Sequence, residues 1–537
     1  MSTFTNSKKR FAASLAVVAL VSVGLTSIPV AANAAPVCAT NPTSKVTSCG
    51  GATTDGAKYA IQVPENFNGT LFLYSHGYAY VLDLPPVYST AKVLANPTPG
   101  PLGPNNDDLT TINTLLEEGY AVAGSTFPVL GWNVKEAIKT NVELIGVVKK
   151  KFKKTTKVIA WGESLGGFIT QALAEKYPKL IDASGLMCPA LGNVTAEFTT
   201  AGDFLWGLKT FFEPKLKGRN YSAGQAGVLE AYNDIALLQA LADKLKISIG
   251  TELVTSAPSW PAGAPGAAVL GAIPVRSVLL YIGLMAGIPT RSAHFDGVSG
   301  PGVDGSSTAF GFAAVGSPAF AILENGFEAA GLAVLGTYDL EKQSGGPFYD
   351  NTKTDYAKRV TVEKSVYNGA LSGSTAIAGI QLALANAAFA PRWAADPLAA
   401  YNFSKQIKHT GKLNHPTVTL TATEDAIVPE GNTQWLINKQ KTAADKAKLL
   451  VLWNAPADAY TTFDATGSPV SSTPEANGTG HCNFTADQYL AVAHMLADAV
   501  ESGGKLDTGA FRKYVVAVTD GISIEPRKGR MQKFYDK

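Results

Sequence analysis

Hydrophobic and polar positions change period several times along the chain. Residues 59–63 alternate and residues 70–75 form a continuous aromatic and aliphatic run, so both read as strands. Residues 107–118 place Leu109, Ile112, Leu115 and Leu116 at helical spacing, and residues 120–123 return to strand. The next pairs are a helix over 133–151 with a strand over 158–161, then a helix over 166–176 with a strand over 183–187. Strand and helix in strict turn predict a mostly parallel sheet with helices on both faces.

The rhythm then breaks. Residues 192–396 are rich in Gly and Pro, with apolar helical stretches and no strand period, and read as a mainly helical cap inserted into the sheet domain. Strands resume over 417–422 and 449–453. A helix over 485–502 follows, with Thr485 and Gln488 at the spacing of a capping box. The expected organisation is therefore a leader over 1–34, a sheet domain over 35–191 and 397–537, and a cap over 192–396.

Lys8, Lys9 and Arg10, the apolar run from Phe11, and Ala32-Asn33-Ala34 have the order of an export signal cleaved after Ala34; a retained anchor is the alternative. This predicts a secreted or periplasmic protein with no stable span after cleavage. Two later apolar stretches, 267–289 and 311–336, contain Pro274 and Arg276, and Glu324 and Glu328, and read as buried helices. The formal charge is only +2, and removing the basic leader brings it close to zero. Nothing in that balance points to nucleic acid or an anionic surface, and the lysines between 149 and 154 suit a helix C-terminus. The sequence has no metal-ligand spacing and no dinucleotide or phosphate loop, so neither metal nor cofactor is expected. Oligomeric state is not legible.

Gly162-Glu163-Ser164-Leu165-Gly166 carries the chemistry. The bare pattern is weak, but it follows a buried strand and opens a helix, the sharp turn in which glycines lift a serine oxygen clear of the backbone. A serine hydroxyl becomes a nucleophile when an imidazole accepts its proton and a carboxylate orients that imidazole.

In this motif the chain resembles the α/β-hydrolase superfamily, over about residues 57–190 and 414–502. The resemblance implies an α/β-hydrolase fold and the chain order nucleophile, acid, histidine. By it, Ser164 is the nucleophile and His481, in Gly480-His481-Cys482-Asn483, the base. Asp425, in Thr423-Glu424-Asp425-Ala426, is the acid, with Glu424 as the alternative. It also implies an oxyanion hole from the backbone N–H groups of Leu165 and Tyr78, the latter in Ser75-His76-Gly77-Tyr78, with His76 structural. His294, His409, His415 and His494 are expected to be structural as well.

Four cysteines in an exported chain can pair in three ways. Cys38 and Cys49 most simply close a local loop, which leaves Cys188 for Cys482. In the hydrolase fold those two lie at one edge of the sheet, where a bridge would tether the histidine loop. The His-Cys pair resembles the tannase and feruloyl esterase family, but Glu163 stands where that family has a cysteine, so its specificity is not carried over. Phe204, Trp206, Phe211 and Phe212 read mainly as the core of the cap, and no role is evident for residues 348–351. The expected function is hydrolysis of carboxylic esters of small uncharged or apolar substrates. A serine peptidase of the same fold is the alternative, and a catalytically inactive binding protein a further one.

Overall fold

The computed structural model describes residues 35–82, 101–104, 109–192, 194–300, 315–464, 469–470, 474–516 and 521–528. The expected export signal, residues 1–34, lies outside the described residues.

One sheet runs through the molecule. Its strands are β1 (Val37–Thr40), β2 (Thr47–Ala52), β3 (Lys58–Val63), β4 (Thr70–Ser75), β5 (Ala121–Ser125), β6 (Lys157–Glu163), β7 (Ala183–Met187), β8 (Thr417–Ala422), β9 (Leu449–Asn454) and β10 (Ile522–Ser523). Their spatial order is β1-β2-β3-β5-β4-β6-β7-β8-β9-β10. The central run from β5 to β9 is parallel, while β1, β2 and β3 and the edge strand β10 are antiparallel to their neighbours. With a serine turn after β6 and a cap inserted between β7 and β8, this is the α/β-hydrolase fold.

Alternation along the buried strands explains why both faces are covered. Leu71 and Leu73 of β4 and Val158 and Ala160 of β6 point to one side, beneath helices α2 (Val134–Lys151) and α3 (Leu165–Lys176). Phe72, Tyr74, Ile159 and Trp161 point to the other, beneath α1 (Thr110–Glu117) and the helix Ala486–Glu501. Trp161 meets Phe72 and Tyr74 edge-on, at 5.3 and 6.1 Å between ring centres. Burial of each of these large side chains contributes roughly 1.5–3 kcal/mol. The capping box at Thr485 and Gln488 is present in both directions, satisfying donors that would otherwise be orphaned at the start of the last helix. Lys149, Lys150 and Lys151 lie in the last turn of α2, the cation-favouring end of its dipole.

The edges differ from the sequence reading. Residues 38–49 are not a plain loop but the hairpin β1–β2, in which Cys38 stands opposite Cys49 and bridges to it. The strands are Gly-, Ser- and Thr-rich and mostly solvent-facing, so no hydrophobic alternation marks them. β10, only two residues long, has too little sequence to show a period.

The cap is helical, and no strand intervenes between β7 and β8 among the described residues. α4 (Val194–Phe211), α5 (Gly224–Thr255), α6 (Gly266–Leu270), α7 (Val275–Ala286) and the helix Ser317–Ser344 surround a core of their own. Phe204, Trp206, Phe211 and Phe212 are buried in it. The helical run continues to Pro397–Phe403, just past residue 396. Ser317–Ser344 is long and apolar enough to cross a bilayer, but 72% of its apolar window is buried against protein.

Of residues 348–351, Tyr349 and Asn351 belong to a buried polar cluster in the cap, while Phe348 packs against Phe403 and Asp350 is exposed. Tyr349 and Tyr356 donate hydroxyl hydrogen bonds to Asp203, which also pairs with Arg359. Asn351 Nδ2 donates to Tyr356 Oη at 2.8 Å, and Trp206 stacks on the Tyr356 ring at 4.8 Å. A buried carboxylate is tolerated only when its charge is met in this way.

Candidate active site

The chain makes its sharpest turn at the end of β6. Ser164 stands between β6 and α3 at φ 56°, ψ −123°, a region that L-residues enter at a cost on the order of 1–3 kcal/mol. The two flanking glycines are required by space. A Cβ on Gly166 would lie 1.9 Å from the Ser75 carbonyl oxygen, and one on Gly162 would lie 2.5 Å from the Gly166 oxygen. The Ser164 N–H donates to Met187 O at 3.0 Å, which fixes the turn against β7.

Two loops bring the partners of Ser164. Asp425 follows β8 and is 1% exposed; its Oδ1 accepts from the N–H groups of Ile427 and Val428 at 2.9 and 2.8 Å. The Glu424 N–H donates to Gly478 O at 3.1 Å, so the backbone of the acid turn is paired with the segment leading into His481. Next to it Asn477 accepts from Asn454 and from Gln488 of the last helix. His481 Nδ1 lies 2.8 Å from Asp425 Oδ2, and His481 Nε2 lies 2.8 Å from Ser164 Oγ. The carboxylate bonded to the imidazole is therefore that of Asp425, not Glu424. Cys482, at φ 53°, is bridged to Cys188 at the end of β7.

Burial by itself would lower the His481 pKa. The Asp425 charge and hydrogen bond, with added attraction from Glu328 and Glu163, outweigh burial and hold the imidazole above its ordinary value.

Leu165 opens α3 and Tyr78 follows the turn after β4; both line the same cavity as Ser164. A Cβ on Gly77 would come within 3.4 Å of Ser164 Cβ, so the β4 turn packs directly on the serine. Tyr78 Oη donates to Asp339 of the cap at 2.8 Å, and the Trp132 N–H donates to the same oxygen. His76 is buried, with Nδ1 2.8 Å from Gly77 O and its ring against Phe127 at 4.6 Å. Burial lowers its pKa. The remaining histidines lie apart. His409 is wedged between Gly192 N and Phe168 O, His294 faces Glu324, His494 faces Glu118, and His415 is buried beside β8.

The cavity holds roughly 690 Å³, counting its open mouth, between the sheet edge and the cap. Trp132, Phe198, Phe204, Ile288, Leu332 and Val428 supply much of its apolar wall, and Glu197 is the one charged residue along it among the described residues.

Two carboxylates near the site were not singled out by sequence reasoning. Glu163 accepts hydrogen bonds from Tyr74 and Tyr489. Glu328, on the cap helix Ser317–Ser344, keeps an exposed surface, yet its carboxyl stands among protein groups that include Asp425, Glu475 and Glu324. Desolvation, then repulsion from those acids, pushes it up to about 7, with His481 opposing the rise. Glu163 lies within the serine motif and Glu328 in none, but the partners of both come from elements distant in sequence.

No family model matches the chain. An o-phthalyl amidase from Xanthobacter agilis is 29% identical over 133 residues, which span 24% of this chain and 24% of the amidase. Among solved structures, an esterase from Aspergillus oryzae is similar over 87% of this chain and 84% of its own, at 11% identity and a TM-score of 0.37. Feruloyl esterase B from Aspergillus oryzae is similar over 88% and 86%, at 12% identity and a TM-score of 0.33.

The folded state favours the neutral form of Glu328, because its pKa is raised from 4.5 to about 7. The stability this group supplies is full below the unfolded value and lost as pH rises through the folded one. Glu328→Gln is thus expected to raise Tm above wild type at about pH 8 and to match it near pH 4. Equal differences at the two pH values, read by differential scanning calorimetry, would contradict this placement. For the disulfide, loop closure over a separation of 294 residues predicts a loss of up to about 5 to 6 kcal/mol in urea melts of Cys188→Ala/Cys482→Ala. An unchanged midpoint would mean the tether is idle.

Proposed function

We propose that the protein is an exported serine hydrolase that cleaves carboxylic esters through an acyl-enzyme. The observation that carries this reading is the unbroken run Asp425–His481–Ser164, with both contacts at 2.8 Å, at the wall of an apolar cavity. In this reading Asp425 holds His481 with Nδ1 protonated, leaving Nε2 to take the Ser164 proton as Oγ attacks the ester carbonyl. Charge developing on the carbonyl oxygen is met by the N–H groups of Leu165 and Tyr78; removing one such donor typically costs about 3 kcal/mol. The His481 cation then protonates the departing alcohol. Water, deprotonated by the same imidazole, releases the acid and regenerates Ser164.

The acyl portion would occupy the cavity, where burial of apolar surface favours an uncharged or apolar group. Export is supported by the leader pattern and by two disulfides, which persist in oxidising compartments. Amide hydrolysis is a second reading, favoured by the local similarity to an o-phthalyl amidase. The same imidazole can protonate an amine leaving group.

A fluorophosphonate probe is expected to label the wild-type protein and not Ser164→Ala. Absence of wild-type labelling, or labelling that survives the substitution, removes the hydrolase reading. In a turnover assay, p-nitrophenyl acyl esters are expected to be cleaved in preference to aminoacyl anilides. Turnover of the anilides alone would replace the ester reading with the amide one.

A further inference from the structure

Glu163 occupies the position immediately before Ser164 at the end of β6. Two phenols on different elements grip its carboxylate. Tyr74, on β4, donates to Oε2 at 2.5 Å, and Tyr489, on the helix Ala486–Glu501, donates to Oε1. The Tyr489 hydroxyl also lies 3.2 Å from the carbonyl oxygen of Cys482, the residue after His481. Both tyrosines are almost wholly buried. One carboxylate thus joins β4, the serine turn and the last helix, with the Tyr489 hydroxyl it holds lying against the histidine loop.

A neutral side chain could fill this space without the cost of desolvating a charge. A carboxylate offers something a neutral group does not: negative charge behind an imidazole that must become a cation. The phenols cannot relieve Glu163 of that charge by ionising. Burial, followed by repulsion from Glu163, drives both tyrosines well above their ordinary pKa, so they remain donors.

We propose that Glu163 is a positioning residue for the hydrolytic reaction: clamped by Tyr74 and Tyr489, its charge stabilises the cationic form of His481 and its hydrogen bonds hold Tyr489, which lies against the histidine loop, to the serine turn. It acts through His481 and touches no substrate. This rests on the reading of Ser164, His481 and Asp425 as a hydrolytic set.

Other charged groups face His481 from separate elements. Asp425 faces it from the acid turn, and Glu328 from the cap helix. Glu475 lies beside Gly480, with Oε2 3.6 Å from the position a Cβ would take there.

The test is the titration of the His481 imidazole in the full chain, followed by NMR with labelled histidine and identified by comparison with His481→Ala. Removing a nearby negative charge favours the neutral ring. Glu163→Gln should therefore lower the His481 midpoint by about half a pH unit or more, a shift of the size expected for one partly screened neighbouring charge. The acid limb of kcat/KM for a p-nitrophenyl ester should move in the same direction, and Glu163→Asp should restore most of the midpoint. A midpoint that stays in place in Glu163→Gln, with only Tm altered, overturns the proposal. If that variant fails to fold, Glu163→Gln/Tyr489→Phe, in which the amide oxygen need accept only from Tyr74, is read by the same two outcomes. The titration needs no turnover: a wild-type protein that labels with no probe and cleaves no ester fails the hydrolase reading, while the midpoint comparison still decides the role of Glu163.

Discussion

The backbone of Ser164 is the constraint around which the rest of the site is arranged. A left-handed serine is unfavourable by itself, and the surrounding structure must over-determine it. Gly162 and Gly166 let β6, α3 and the β4 turn approach more closely than any side chain would permit. The Met187 carbonyl holds the Ser164 N–H from β7. Because these contacts come from strands buried on both faces, strain in one turn is supported by the packing of the whole central sheet. The serine oxygen is thereby aimed at one point, and the two remaining partners are brought to it by loops.

Those loops are held by different forces. The acid turn is local: Asp425 accepts from the N–H groups two and three residues ahead, which sets its carboxylate with little help from distant chain. The histidine loop has short local turns, Thr479 to Ala476 and Phe484 to Cys482, and is tied externally as well. Cys188–Cys482 fastens it to β7, the Glu424 backbone pairs with the residues before it, and Asn477 anchors it to β9 and the last helix. A rotatable imidazole on a free loop would spend much of its time away from both partners, so these ties set the fraction of molecules with Ser164, His481 and Asp425 aligned.

The electrostatic balance is one-sided. Asp425, Glu163 and Glu328 all act on a single imidazole, while the walls of the cavity are largely apolar. Low dielectric strengthens each of these interactions relative to water, so the imidazole is held above its ordinary pKa despite its burial. The cap also reaches the sheet through polar contacts. Asp339, raised by burial and held by Gln343, Trp132 and Tyr78, joins the helix Ser317–Ser344 to the turn after β4. Cap and sheet are therefore linked where the two enclose the serine.

Strict strand–helix alternation made the central sheet readable, because strands buried on both faces appear as apolar runs and their covering helices as periodic stripes. β6 and α3, with the glycines between them, were legible for the same reason. The hairpin β1–β2 was not: it sits at an edge facing solvent, where selection of apolar positions by burial is absent. The serine turn, the acid turn and the His-Cys pair could be recognised because each is a short local pattern. The surroundings of Glu163 and Glu328 could not, since they include residues far along the chain, Tyr489 for the first and Asp425 for the second. Local sequence by itself determined where strands, helices and reactive side chains occur, through hydrophobic period and turn chemistry acting over a few residues. Only the tertiary structure decided which carboxylate meets the imidazole, which acids share its field and what the cap encloses, because Coulomb and packing energies depend on distance in space rather than along the chain.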